Sequence, residues 1–237
     1  MDDLGHVDLH GSRFLRALPA ETLARLTPHL EPVELVRRQP IYMPGDEAST
    51  VFFINRGLVS LVKLMRDGRQ VEVGAIGVEG ALGLGALLGL GEAVLEAVVQ
   101  LAGSAFKIKS AVLRDEAHHD HALADLLRRY SSVAIAQIAQ TAACNRLHSL
   151  EQRCCRWLLI ACDSAGEDTF QLTHESLALM LGVQRPGVSI AASALQQAGL
   201  IRYQNGRVAV IDRQGLEAGA CECYDTVHTL FAGLYGP

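Results

Sequence analysis

No glycine or proline occurs between Asp120 and Leu147. A run of that length predicts one unbroken helix of roughly 40 Å. Within it Leu123, Leu127, Tyr130, Ala134, Gln137 and Thr141 recur at alternating spacings of four and three, the stripe of an amphipathic helix. A second apolar set, Leu126, Val133, Ile135, Ile138 and Ala142, widens the face that must be covered. One helix with two apolar faces needs two partners. A sheet on one side and a second copy of the helix on the other would satisfy both, and the first stripe is assigned to the dimer helix.

Upstream the hydrophobic period is two. Segments 33–38, 51–55, 58–65, 69–76, 94–102 and 104–109 read as short strands, punctuated by Pro40, Pro44-Gly45, Arg56-Gly57 and Asp67-Gly68. Asp67-Gly68 between two alternating runs is a hairpin turn. Many short strands with regular turn signals predict a small antiparallel roll or barrel. A short amphipathic helix over residues 15–30, with Pro19 near its start, precedes it. Downstream, helices are expected over Leu150–Cys162, Leu172–Leu181, Gln184–Ala198 and roughly 213–234, with strands at Leu200–Gln204 and Arg207–Ile211.

The segment from Thr173 to Leu195 carries the strongest local signal. Thr173 can cap a helix whose inner stripe is Leu177, Ala178 and Leu181. Gly182 supplies a tight turn, Val183 plugs the angle, and Val188, Ile190, Ala191 and Leu195 pack a second helix behind it. This is a helix-turn-helix, whose second helix enters the DNA major groove by its N-terminal end. Arg185 can donate two parallel hydrogen bonds to guanine, while Gln184, Ser189 and Thr173 are candidates for phosphate or base-edge contacts. Pro186 suits the first helical turn, where its missing amide costs nothing. Asn205-Gly206 then turns a hairpin, the wing, with Arg202 and Arg207 at its base as phosphate candidates.

Bulk composition points elsewhere. The 237 residues carry 21 Lys and Arg against 26 Asp and Glu, a net charge of −5, so overall charge gives no hint of nucleic acid. Residues 149–237 hold six cations against nine acids, which makes the DNA-binding part the more acidic per residue. Affinity there must rest on a few placed arginines, doubled by dimerisation. The start of the chain lacks a secretory signal, and the most apolar stretch, Gly80 to Gly91, is too short and too glycine-rich to span a bilayer. A cytoplasmic protein that does not engage a membrane is expected. Its six cysteines then read as free thiols.

In order and length, roll, long helix and winged helix-turn-helix resemble transcription regulators of the cyclic-AMP receptor protein/fumarate-nitrate regulator (Crp–Fnr) family. The resemblance covers roughly residues 15–235. It is carried most specifically by Tyr42-Met43-Pro44-Gly45-Asp46, by Val51-Phe52-Phe53-Ile54-Asn55-Arg56-Gly57 and by Leu172–Leu200. It implies an α+β chain with a β-roll sensor domain at 1–117, a dimerisation helix at 118–148 and a winged helix-turn-helix DNA-binding domain at 149–237. It also implies a homodimer on a palindromic double-stranded site, with an effector in the roll and RNA polymerase as a further candidate partner. Two departures stand out. Where the family's better-known recognition helices carry Arg-Glu and a second Arg one turn later, this chain has Arg185, Pro186 and Ile190, so a different operator is expected. Cyclic-nucleotide binders hold the phosphate with an arginine in a short cassette. Here no Lys, Arg or His occurs from Gln70 through Phe106, and the cassette region offers Glu79, Gly80 and Gly83 as the effector-pocket residues. A cyclic phosphate left without its ion pair would lose about 2–5 kcal/mol, which disfavours cyclic AMP. Three alternatives remain for the effector: none, an apolar or gaseous ligand, or a redox signal at cysteine.

No cofactor or metal is assigned. Cysteines before Cys144 are absent, so the family's N-terminal iron–sulfur cluster is not supported. Cys154-Cys155 cannot both face one ion, and Cys221-x-Cys223 lacks a second pair. His118-His119-Asp120-His121 reads as a solvated helix start capped by Asp120 rather than a metal site, and haem through His6 or His10 stays open. No P-loop, G-x-S-x-G, HExxH or paired-carboxylate motif occurs, so no enzyme is expected. The competing reading is a ligand-sensing module whose helix-turn-helix mediates protein contacts instead of DNA binding.

Overall fold

Proline placement shapes the first described elements. The computed structural model describes residues 11–236. In place of one helix over 15–30 there are two, α1 (Arg13–Arg16) and α2 (Ala20–Leu26), because Pro19 lacks an amide and stands as the N-cap of α2. Phe14, Leu15 and Leu26 are fully buried and seat this end on the sheet.

The sheet consists of β1 (Glu31–Leu35), β2 (Pro40–Tyr42), β3 (Thr50–Leu64), β4 (Gln70–Ile76), β5 (Ala81–Leu82) and β6 (Glu96–Lys109), with a short helix α3 (Leu84–Leu87) after β5. Its order is β1-β6-β3-β4, with β2 added on β6 and β5 on β3, and every pairing is antiparallel. The Asp67-Gly68 turn closes β3 onto β4 as the sequence predicts, Leu64 facing Gln70. Two expected breaks are not breaks. Segments 51–55 and 58–65 form one strand, and so do 94–102 and 104–109. Arg56-Gly57 is a bulge within β3, where the register against β6 shifts. Gly57 has φ +99°, and a Cβ on it would lie 2.6 Å from the Leu101 carbonyl. Gly103 opposite would put a Cβ 2.0 Å from the Arg56 carbonyl. Two glycines face to face let the strands cross without parting, which local sequence cannot distinguish from a turn.

After β6 come α4 (Ser110–His119) and α5 (His121–Leu147). The Asp120 carboxylate accepts from the amides of Ala122 and Leu123 at 2.9 and 3.0 Å, the expected cap. The two apolar sets of α5 are partnered differently from the expectation. Leu123, Leu127, Tyr130, Gln137 and Thr141 are buried within the single chain, so the stripe assigned to a second copy is already spent on the protomer's own core. Ile135 is 66% exposed and Ile138 36%, and Ala142 is exposed. The sheet takes the more regular stripe because the bulky side chains there fill the space between roll and C-terminal helix.

The C-terminal part contains α6 (Leu150–Ala165), β7 (Thr169–Gln171), α7 (His174–Leu181), α8 (Arg185–Gln197), β8 (Ile201–Gln204), β9 (Arg207–Val210), α9 (Arg213–Gly219) and α10 (Cys223–Tyr235). The single helix expected over 213–234 is broken at Ala220, and the break turns Cys221 inward. Val227, Phe231 and Leu234 of α10 return to pack with Leu123, Leu127 and Tyr130 of α5. On the other side α6 docks on the sheet, where Leu58, Ala75 and Leu101 share one core with Trp157, Leu158 and Phe170. No helix among the described residues is long and apolar enough to cross a membrane.

Candidate nucleic-acid interface and effector cavity

Thr173 caps α7, its hydroxyl oxygen accepting from the Ser176 amide at 3.1 Å; such a cap contributes about 1 kcal/mol. Gly182 ends α7 with φ +61°, and α8 begins three residues later. Val188, Ala191 and Leu195 bury the inner face of α8 as expected, whereas Ile190, expected to pack with them, points outward and is 70% exposed, beside the exposed Gln184 and Arg185. Gln184 is the N-cap of α8 without a side-chain bond to the helix, so its amide group is available for a ligand. Ser189 is more constrained than expected. Its hydroxyl donates to the Arg185 carbonyl at 3.2 Å and accepts from His174 Nδ1 at 3.0 Å.

The wing follows the Asn205-Gly206 turn, with φ +53° and +73° as a tight hairpin requires. Strand β7 joins as a third strand on β9. Alternation sends Ile201, Tyr203, Val208 and Val210 inward and Arg202, Gln204 and Arg207 outward. Arg202 and Arg207 therefore share a face; Arg207 flanks the tip of the hairpin instead of its base. Tyr203 stacks on His174 with ring centroids 4.2 Å apart and donates to the Leu172 carbonyl at 3.0 Å, tying wing to helix-turn-helix. Burial, then the Arg185 charge, holds His174 below the usual imidazole range, so the ring is neutral near pH 7.

The six cations after residue 148 divide by location. Arg153 and Arg156 are buried, and Arg213 is tied to Asp163 and Glu217 at 2.8 and 2.9 Å. Arg185, Arg202 and Arg207 are exposed and make no ion pair among the described residues, and all three lie on the recognition helix or the wing.

The roll holds a cavity of about 220 Å³ between its open side and α5. Its wall includes Leu61, Leu82, Gly83, Leu95, Tyr130 and Ile138, and its one charged residue is Glu92. No lysine, arginine or histidine lines it, as expected from the cation-free run. Of the three residues assigned to the pocket, only Gly83 lines it. Glu79 turns away, its carboxylate accepting from the Gly77 amide at 3.0 Å within its own loop. Gly80 is covered by the Tyr130 hydroxyl, which a Cβ there would approach to 2.8 Å.

Residues 32–120 match the cyclic nucleotide-binding domain family, and residues 152–218 match the Crp-like helix-turn-helix domain. The transcriptional regulator LdrP of Thermus thermophilus is 30% identical over 197 residues, 78% of this chain and 94% of that protein. The chain belongs to the Crp–Fnr family. Among solved structures, a CRP-family transcriptional regulator from Thermus thermophilus has a TM-score of 0.66 at 25% identity, covering 79% of this chain and 96% of its own. FixK2 from Bradyrhizobium japonicum shares the fold with a TM-score of 0.68 at 20% identity, covering 81% and 98%. This Crp–Fnr regulator is thus a transcription regulator with a helix-turn-helix DNA-binding domain.

Two features of the regulator escaped the sequence reading. Glu72 of β4 is buried against the DNA-binding part, accepting from the Ser60 hydroxyl and, at 3.5 Å, from Trp157 Nε1. Nothing in the alternation of β4 marks Glu72 as inward. The second concerns thiols. Cys221-x-Cys223 does have partners: Cys144 and His148 stand against it. It is the only group of three or more His, Cys, Asp or Glu among the described residues placed to hold a metal ion. His118, His119 and His121 do not converge, and His6 and His10 lie outside the described residues.

Proposed function

We propose that this regulator binds an inverted-repeat DNA site as a homodimer and responds to a small apolar effector in place of cyclic AMP. The observation that carries the DNA reading is the confinement of the exposed, unpaired cations after residue 148 to Arg185, Arg202 and Arg207. Arg185 reads a guanine, Gln184 a neighbouring edge or phosphate, and the wing arginines hold the backbone. Thr173 and Ser189 serve mainly to fix the two helices. Ile190, at 70% exposure where a solvated helix would carry a polar group, suits a thymine methyl.

Ile135, Ile138 and Ala142 on α5 supply an unpartnered face for pairing with a second copy. That arrangement would place two recognition helices on one side, as half-sites one helical turn apart require.

The effector reading rests on the cavity. At about 220 Å³ it exceeds the roughly 150 Å³ of an engineered apolar cavity that binds benzene. Its lining gives a phosphate no cation. Selection from a random duplex library should enrich a palindrome; an unenriched pool would refute sequence-specific binding. Millimolar cyclic AMP should leave the melting temperature unchanged, and a rise of several degrees would overturn the effector reading.

A further inference from the structure

Three buried thiols and one imidazole converge where α5 ends. Cys144, Cys221 and Cys223 are 0%, 3% and 0% exposed and form a separate small cluster with no other apolar residue. With His148, all four ligand atoms lie within 4.8 Å of one another. Cys144 Sγ is 3.6 Å from Cys221 Sγ, and Cys223 Sγ is 3.5 Å from His148 Nδ1. A tetrahedral zinc with bonds of about 2.3 Å to sulfur and about 2.0 Å to nitrogen has polyhedron edges of about 3.8 and about 3.5 Å. These two unliganded separations already match, and the remaining ones, all within 4.8 Å, need only a small contraction onto the ion. An iron–sulfur cluster spreads its cysteines over different irons and needs them farther apart.

The surroundings are those of a ligand set. His148 Nε2 faces Glu222 Oε2 at 3.1 Å, so the carboxylate can fix the ring with Nδ1 turned to the sulfurs. Gln140 Nε2 donates to Cys223 Sγ at 3.0 Å, a bond that favours the thiolate. Cys154, Cys155 and Cys162, by contrast, sit in the α6 core, where burial pushes their thiols up to about 12, 11 and 12.

The location gives the cluster a task. His148 is the residue at which α5 ends, in extended backbone with φ −100° and ψ 152°, and α6 starts at Leu150. Cys221 lies in the connection from α9 into α10, and Cys223 is the first residue of α10. We propose that Cys144, His148, Cys221 and Cys223 bind one zinc ion as a Cys3His site that locks the joint between the long helix and the DNA-binding part.

The full chain purified under reducing conditions should contain one zinc per protomer by elemental analysis. The zinc-free chain titrated with cobalt should develop thiolate-to-cobalt charge transfer and the intense visible bands of a tetrahedral ion, saturating at one equivalent. Cys221→Ser and His148→Ala should weaken or alter those bands, while Cys162→Ser keeps them. Zinc loading should raise the melting temperature of the wild type more than that of Cys221→Ser. Should the variants misfold, the wild-type cobalt spectrum still reports the number of thiolates. A chain that holds no zinc and gives no thiolate-bound cobalt would overturn the proposal, as would an iron–sulfur spectrum or a Cys144–Cys221 disulfide formed in place of metal binding.

Discussion

The Tyr130 hydroxyl pairs with both backbone groups of Ala81, accepting from its amide at 2.7 Å and donating to its carbonyl at 3.1 Å. A side chain of the long helix thus completes the outer edge of β5, beside the cavity it also lines. The tyrosine that ties α5 to the roll is therefore also part of the cavity wall.

Replacing Tyr130 by Phe keeps the packing with Phe14 and Phe231 but leaves two buried backbone groups unpaired. A loss of about 1–3 kcal/mol is expected in urea denaturation. A change within a few tenths would mean that water or a shift of β5 replaces the hydroxyl.

Stability should fall as pH rises toward neutrality. Burial pushes the Glu72 carboxyl up to about 7, against smaller opposing effects of the Ser60 and Trp157 bonds and the Arg156 charge. Between its ordinary 4.5 and about 7 the folded chain holds a proton that the unfolded chain has released. Stability is therefore lost across that window, by up to about 3 kcal/mol above it. Glu72→Gln should melt higher than the wild type at pH 8 and level with it at pH 4.5. Parallel pH profiles for the two proteins in calorimetry would contradict this.

Arg185 and Arg202 should fail in different ways. Arg185→Ala should lose about 1–3 kcal/mol of discrimination at one base pair per half-site. Arg202→Ala should weaken all duplexes alike and flatten the salt dependence by about one unit per subunit. Gel-shift titrations on matched and mismatched sites at several salt concentrations distinguish them. A uniform loss for Arg185→Ala would place it on phosphate.

A charge on the exposed face of α5 should separate the protomers. Ile135→Glu is expected to sediment as a monomer and to lose about 10²–10⁴ in affinity for the palindrome, the contribution of the second half-site. Unchanged sedimentation would move the dimer contact off this face.

The helix-turn-helix was legible because its signals are local. A Thr173 cap, a glycine at φ +61° and an Asn-Gly hairpin each act within a few residues, so type and order alone predict them. The cation-free run from Gln70 to Phe106 announced a cavity poor in cations, because that run supplies most of its wall. Boundaries were less legible. Gly57 looks like a turn in one dimension and is a bulge only because Gly103 meets it from another strand.

By itself the sequence determined the succession of strand-rich part, long helix and helix-turn-helix, and it named the side chains proposed to touch DNA. Tertiary structure alone decided which face of α5 is spent inside the protomer and which thiols meet. Cys144 and Cys221 are 77 positions apart and come to 3.6 Å only because α10 turns back onto α5. Periodicity says that a face must be covered, never by what. Convergence of distant ligands depends on the packing of elements that share no local signal.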